Sequence, residues 1–494
     1  MSEATHGGAP GRHDDDSPTL DPTDWDRARA LAHRMIDDAF DDLRTVRDRP
    51  VWRKVLDDVA RTFDEPAPKE PLGEEAAYAA FRDRVVPYRM GNDHPRFWAY
   101  YMGSGTVIGA LAEFLAAIDA SNLGGTEIGA ARVERQVLDW CKTMIGLPKS
   151  ASGVMTSGAS VANLIGAAVA RHAHVPEARA EGIGGLPEPL IAYASDEVHS
   201  CHQRSLELMG HGTRSLRKVA TDDAFRIDVD ALRRAVAEDR SAGRRPWLVV
   251  ATAGTVNTGA FDDLNSVADL CAEEGLWFHV DAAIGAPYGL SERLRPKIAG
   301  IERADSVALD LHKGLHAPFE AGVVLVRDEV AHREAFSLMP PYLARSGRGL
   351  AGRSTWLSEY GPQLTRGFKA LKVWMGFLAH GTDGFARVLE ENADQAAHLA
   401  SRIDASPVLE RVAPVEADIV CLRVVPDGAD TDAVDAANRT LVDELQEEGE
   451  FVPSGTVVHG RPCVRVALCN HRTRTDDLDR FVTRLERAAR RTSA

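Results

Sequence analysis

The chain reads as an α/β protein built on a largely parallel sheet. Three observations predict this class. Short apolar runs recur through its middle, at Leu190–Ala194, Trp247–Thr252, Leu276–Val280, Ser306–Leu309 and Gly322–Val326. Helical periods such as Asp228–Arg240 and Leu264–Glu274 lie between several of them, the alternation expected of parallel strands joined by helices. The middle runs also end in small or polar residues, at the strand ends where an open α/β sheet binds its ligands.

The flanking segments follow from the same reading. Residues 1–22, with Asp14-Asp15-Asp16, Pro10 and Pro18, read as a disordered tail without the basic and apolar regions of a signal peptide. Thr23–Arg84 is mostly helical in period and breaks at Pro66-Ala67-Pro68. An aromatic segment, His94–Gly103, precedes the core, and a helix over Thr365–His380 is expected to link it to a C-terminal α/β unit. The predicted organisation is a tail (1–22), an N-terminal helical segment (23–95), a large domain (96–375) and a C-terminal α/β domain (376–494).

Composition narrows the class. The 494 residues are 44% hydrophobic and 27% charged, ordinary for a globular chain. A net charge of −16 argues against a nucleic-acid surface and favours solubility. No run of about 18 apolar residues offers a membrane span. Six scattered cysteines without a CxxC pair suit a reduced, cytoplasmic setting. Only nine of the 58 basic residues are lysine, so a lysine in an apolar, glycine-bounded setting draws notice: it can shed its proton where arginine cannot.

Four segments carry candidate chemistry. Met155-Thr156-Ser157-Gly158-Ala159-Ser160, opening an Ala-rich helix, is a candidate phosphate cradle in which Ser160 caps the helix; an ordinary capped turn is the plainer reading. Ser195–His202 follows a strand and offers His199 as a ring to stack on a flat cofactor and move protons. His199 and His202 read equally as loop histidines, and no further ligand set supports a metal. Trp277–Ala283 delivers Asp281 to a strand end, where it pairs with a protonated heterocyclic nitrogen or simply caps a loop. Lys313, in Ala308–Gly314, follows another apolar run; desolvation there is expected to lower its pKa and free an amine for attack on an aldehyde, against the plain alternative of a solvated loop lysine. Together, in this order, they supply every part of a site for pyridoxal 5′-phosphate (PLP).

From about Phe97 onward these residues resemble the PLP-dependent group II amino-acid decarboxylases, the family of the aromatic-L-amino-acid decarboxylases. Further matching segments are Ala251–Thr255 with Gly259-Ala260-Phe261-Asp262, Ala304-Asp305-Ser306, Pro318–Gly322 and Leu371-Lys372-Val373-Trp374. The resemblance implies the fold of the aspartate-aminotransferase type (fold type I), in a homodimer with active sites at the subunit interface. By position, Lys313 matches the lysine that forms the internal aldimine with PLP, Asp281 the acid on the pyridine nitrogen, and His199 the ring-stacking histidine. Ala159 and Ser160 match the phosphate turn, Ala283 the residue beneath the ring, and His312 the lysine's neighbour. Tyr342 matches a mobile-loop tyrosine that protonates the substrate carbon after carbon dioxide leaves, and the glycine-containing stretch 346–352 is expected to move with it.

The implied activity is PLP-dependent decarboxylation of an L-amino acid to its amine, with a small-molecule substrate and no nucleic-acid, membrane or metal partner. Phe97, Trp98, Tyr100 and Tyr101 suggest an aromatic substrate, or half of them pack in the core; Arg96, Arg345 and Arg348 are the cations available to an acidic one. Oxidative deamination to an aldehyde is the nearest rival outcome, and a PLP-fold scaffold without catalysis the next. Three departures stand out. Gly314 replaces a tryptophan of many relatives and is expected to widen or loosen that wall. Val256 and Asp310 replace a hydroxyl and an amide, and Asp310 is expected to avoid direct contact with phosphate because like charges repel.

Overall fold

The alternating apolar runs fold as a seven-stranded sheet in the computed structural model, which describes residues 19–125, 127–338, 349, 352 and 355–492. The expected tail lies outside the described residues apart from 19–22. The chain divides into two units, one of residues up to 48 with 55–87, the other of 49–54 with 88 onward.

In the first unit α1 (Trp25–Arg44) starts where the Asp24 side chain accepts the Arg27 N–H, a standard N-cap. Short α2 (Asp57–Arg61) and α3 (Glu74–Arg84) follow, with Pro66 and Pro68 between them as the sequence predicts. Asp38 ties α1 to α3 by accepting from Tyr78 Oη at 2.7 Å and from Arg82.

The second unit opens with α4 (Val107–Asp119) and α5 (Gly129–Met144). Its sheet holds β1 (Ser152–Thr156), β2 (Leu190–Ser195), β3 (Leu216–Val219), β4 (Arg245–Thr252), β5 (Trp277–Asp281), β6 (Ser306–Asp310) and β7 (Gly322–Val326). Their order is β1-β7-β6-β5-β4-β2-β3. Pairing is parallel from β3 through β6, while β7 runs antiparallel to β6 and β1. The connecting helices are α6 (Ala159–His174), α7 (Ala178–Glu181), α8 (Cys201–Leu208), α9 (Val229–Ser241), α10 (Leu264–Glu274) and α11 (Glu329–Phe336). All five predicted strands are present within two residues of their expected bounds.

The predicted helix over Thr365–His380 differs. It begins later and runs on as α12 (Ala370–Asp404), through a kink where Gly381 adopts φ +67°. The late start has a cause: the Arg366 guanidinium is drawn into the core, donating to Glu134 Oε1 at 2.5 Å and to the Met155 carbonyl at 2.8 Å. Beyond α12 come β8 (Leu409–Arg411), β9 (Ile419–Val424), α13 (Thr431–Glu448), β10 (Ser454–Val458), β11 (Arg461–Ala467) and α14 (Thr475–Thr492). The four strands form an antiparallel sheet in the order β10-β11-β9-β8. Among the described residues, no helix is long and apolar enough to cross a membrane.

Trp98 anchors this C-terminal core. Fully buried, it stacks on Phe451 at 5.8 Å, meets the edge of Phe481 at 5.3 Å and donates from Nε1 to Thr473 Oγ1 at 3.2 Å. Trp98→Ala is expected to cost about 3–5 kcal/mol through the cavity it leaves, measured as a lowered denaturant midpoint.

Candidate active site

A cavity of about 600 Å³ opens at the C-terminal ends of β4, β5 and β6. Its walls include Ala159, Ser160, His199, Asp281, Ala283, His312 and Lys313, so every described candidate for holding the cofactor is brought to one place. Tyr342 lies outside the described residues, as does the stretch 346–352 apart from Gly349 and Gly352.

Asp281 ends β5 and is almost wholly buried. Three donors meet its carboxylate: His202 Nε2 at 2.9 Å, Asn163 Nδ2 at 2.9 Å and the Ala283 N–H at 3.1 Å. Burial alone would raise its pKa, but His202, Lys313 and the Ala283 N–H outweigh that and hold it well below the usual carboxylate range. An ionised acid therefore sits on the cavity wall. Sequence reasoning missed Asn163 and read His202 as a loop histidine or a metal candidate, not as a partner of Asp281. Cys201, His202 and Asp281 do cluster within 4.8 Å, but His202 Nε2 is spent on the carboxylate and Asn163 Nδ2 reaches the Cys201 sulfur at 3.4 Å.

Lys313 stands in the turn after β6, its ammonium 3.0 Å from Asp310 Oδ2. The expected lowering of its pKa is corrected here. Desolvation does pull it down, yet the Asp310 and Asp281 carboxylates outweigh burial and leave it raised. Asp310 also accepts the Ala159 N–H at 2.6 Å through its other oxygen. The carboxylate expected to keep clear of phosphate thus sits at the mouth of the cradle. The capping role expected of Ser160 does not hold either: α6 begins at Ala159, its N-cap is Gly158, and no side-chain cap bond is made there. Ser160, inside the first turn, is past the position from which a side chain caps. Gly322 lets β7 pack directly on this turn, since a Cβ on it would come within 2.4 Å of the Gly158 Cα.

His199 lies at the exposed side of the cavity. Its Nδ1 accepts the Cys201 N–H at 3.2 Å, which leaves the hydrogen of the neutral ring on Nε2. His312 packs its ring 4.7 Å from Phe319, with its Nε2 3.8 Å from Asp310. Burial lowers the pKa of both histidines. The aromatic segment divides: Phe97 and Trp98 are core, whereas Tyr100 and Tyr101 line the cavity with Val256. Gly314 does not widen the cavity. A Cβ there would meet Leu389 at 3.1 Å and Pro287 at 3.4 Å, so the position faces packed core. Arg465 of β11 was also missed; it lines the cavity, fully buried, with Nη2 lacking a hydrogen-bond partner.

These residues fit PLP. The N-terminus of α6 lacks a cap from its own sequence and has drawn in a carboxylate, the behaviour of an anion site. An ionised acid and a primary amine share the same cavity.

Comparison with known proteins agrees. The profile of the pyridoxal-dependent decarboxylase conserved domain matches residues 57–425. Aromatic-L-amino-acid decarboxylase of Bacillus atrophaeus is 32% identical over 471 residues, covering 94% of this chain and 96% of the relative. Phenylacetaldehyde synthase of Arabidopsis thaliana is 28% identical, covering 91% and 93%. Among solved structures, Oryza sativa TDC with PLP and tryptamine superposes with a TM-score of 0.89 at 25% identity, covering 95% of this chain and 99% of that one. A decarboxylase profile across most of the chain, on the fold-type-I scaffold that carries this cavity, establishes that the chain belongs to the pyridoxal-dependent decarboxylase family, PLP-dependent enzymes that remove a carboxylate.

Proposed function

We propose that the chain decarboxylates an aromatic L-amino acid to its amine and carbon dioxide. The observation that carries the reading is an ionised Asp281 and the Lys313 amine on the walls of one cavity. When bound, PLP supplies a sink for the electron pair left as the bond to the carboxylate breaks.

The residues divide that work. Lys313 would hold the cofactor through its amine, the group able to react with an aldehyde. Ala159 and Ser160 hold the phosphate at the start of α6. Asp281 would keep a proton on the ring nitrogen, and Ala283 and His199, on the walls of the same cavity, would hold the ring between them. Tyr342 or His199 returns a proton to the substrate carbon, and His312 steadies the lysine turn.

Aromatic substrates are favoured by the relatives' names and by Tyr100 and Tyr101 on the cavity wall. A specific observation supports a second reading, an acidic substrate: Arg465 Nη2 is a buried donor without an acceptor, beside the same cavity. The Arabidopsis relative keeps the aldehyde outcome in view, and product analysis separates amine from aldehyde. A homodimer is supported by α4, whose Phe114, Leu115 and Ile118 are exposed together. Six free, buried cysteines suit a reducing cytoplasm.

With PLP and a panel of amino acids, the wild-type chain is expected to show a cofactor absorption band and to release carbon dioxide fastest from an aromatic one. Lys313→Ala should abolish the band and slow release by on the order of 10³-fold or more. Preference for glutamate, lost in Arg465→Met, would establish the acidic reading instead.

Cofactor loading should depend on pH in a defined direction. Only the neutral Lys313 amine attacks an aldehyde, and Asp310 holds its proton on. Asp310→Asn is therefore expected to shift the midpoint of apoenzyme reconstitution to lower pH, followed by absorbance after adding PLP.

A further inference from the structure

Besides the Ala283 N–H, two side chains support Asp281, and only one of them is titratable. The first, Asn163, ends a chain of hydrogen bonds through the core beneath α6. Trp277 Nε1 donates to Ser306 Oγ at 2.8 Å, which leaves the Ser306 hydroxyl to donate to His279 Nδ1 at 2.7 Å. Burial lowers the His279 pKa to about 3, so its ring is neutral. The remaining hydrogen is then on Nε2, 2.8 Å from Asn163 Oδ1. That contact fixes the amide so that Nδ2 faces Asp281 Oδ2. Every donor has an acceptor, and the chain has one direction.

His202 provides the second support. It lies in the first turn of α8, buried, with Nε2 2.9 Å from the same Oδ2. An ionised carboxylate only accepts, so this nitrogen must carry a hydrogen.

We propose that His202 is a positioning residue for the reaction: by donating Nε2–H to Asp281 Oδ2 it keeps that carboxylate ionised and aimed, and so sets how firmly a proton is held on the cofactor's ring nitrogen. The inference rests on the reading of Asp281 given above. The weaker a base Asp281 is, the more completely the proton resides on the ring nitrogen, and a donor to its carboxylate weakens it as a base. Without His202, the proton shifts toward the carboxylate.

The test uses holoenzyme loaded with PLP carrying 15N in its ring. In His202→Leu the 15N resonance is expected to move toward that of unprotonated pyridine, and His202→Gln, which keeps a donor, should restore it. Activity should follow, with kcat down by about 10- to 100-fold, the loss of one hydrogen bond to a charged group, and KM little changed. His202→Phe, which preserves ring volume without a donor, stands in if the leucine variant does not fold. Asp281→Asn separates the two readings. If that variant leaves the resonance unmoved, Asp281 does not meet the ring nitrogen and the site reading fails. If it moves the resonance while the donorless His202 variants do not, the inference about His202 is overturned.

Discussion

A buried negative charge at the end of β5 has to be satisfied, and much of the surrounding architecture is arranged to do so. Removing a carboxylate from water costs several kcal/mol unless donors replace the water. Asp281 receives three, from the chain just beyond it, from α6 and from α8. The need for Asn163 holds α6 close to the sheet, close enough that Gly166 has no room for a side chain. A Cβ there would come within 2.7 Å of the His279 ring. The same approach brings the start of α6, and hence the anion-binding turn, to the cavity that Asp281 faces.

The opposite wall is a matter of competing charges. Asp310 accepts from the helix N-terminus with one oxygen and from the Lys313 ammonium with the other. A carboxylate in this place satisfies both groups at once. An incoming phosphate has the same appeal to the helix, with more charge and more acceptors, while the lysine must give up its proton to react.

How much of this was legible follows from the range of the interactions. The strands carrying the site are continuous apolar runs of a buried parallel sheet, and such runs are visible locally. β1 and β3 were not anticipated: β1 includes Gly153, and β3 has only four residues, two of them Arg217 and Lys218. Asp281, Lys313 and His199 were found because each follows an apolar run and their order matches a known family. Asn163, His202 and Arg465 were not assigned these positions, because their partners lie far away in sequence. The raised pKa of Lys313 was misjudged for a related reason. Desolvation could be inferred from its neighbours, but two carboxylates converging on it could not.

Gly103 carries a mechanical consequence. Its N–H donates to the His312 carbonyl at 3.2 Å, and a Cβ there would come within 2.3 Å of that oxygen and 2.5 Å of the Lys313 carbonyl. The aromatic segment is thus seated directly on the peptide that bears Lys313. With its backbone packed in this way, the travel open to the Lys313 amine comes from rotation about the bonds of its own side chain, and its reach is the radius of that swing.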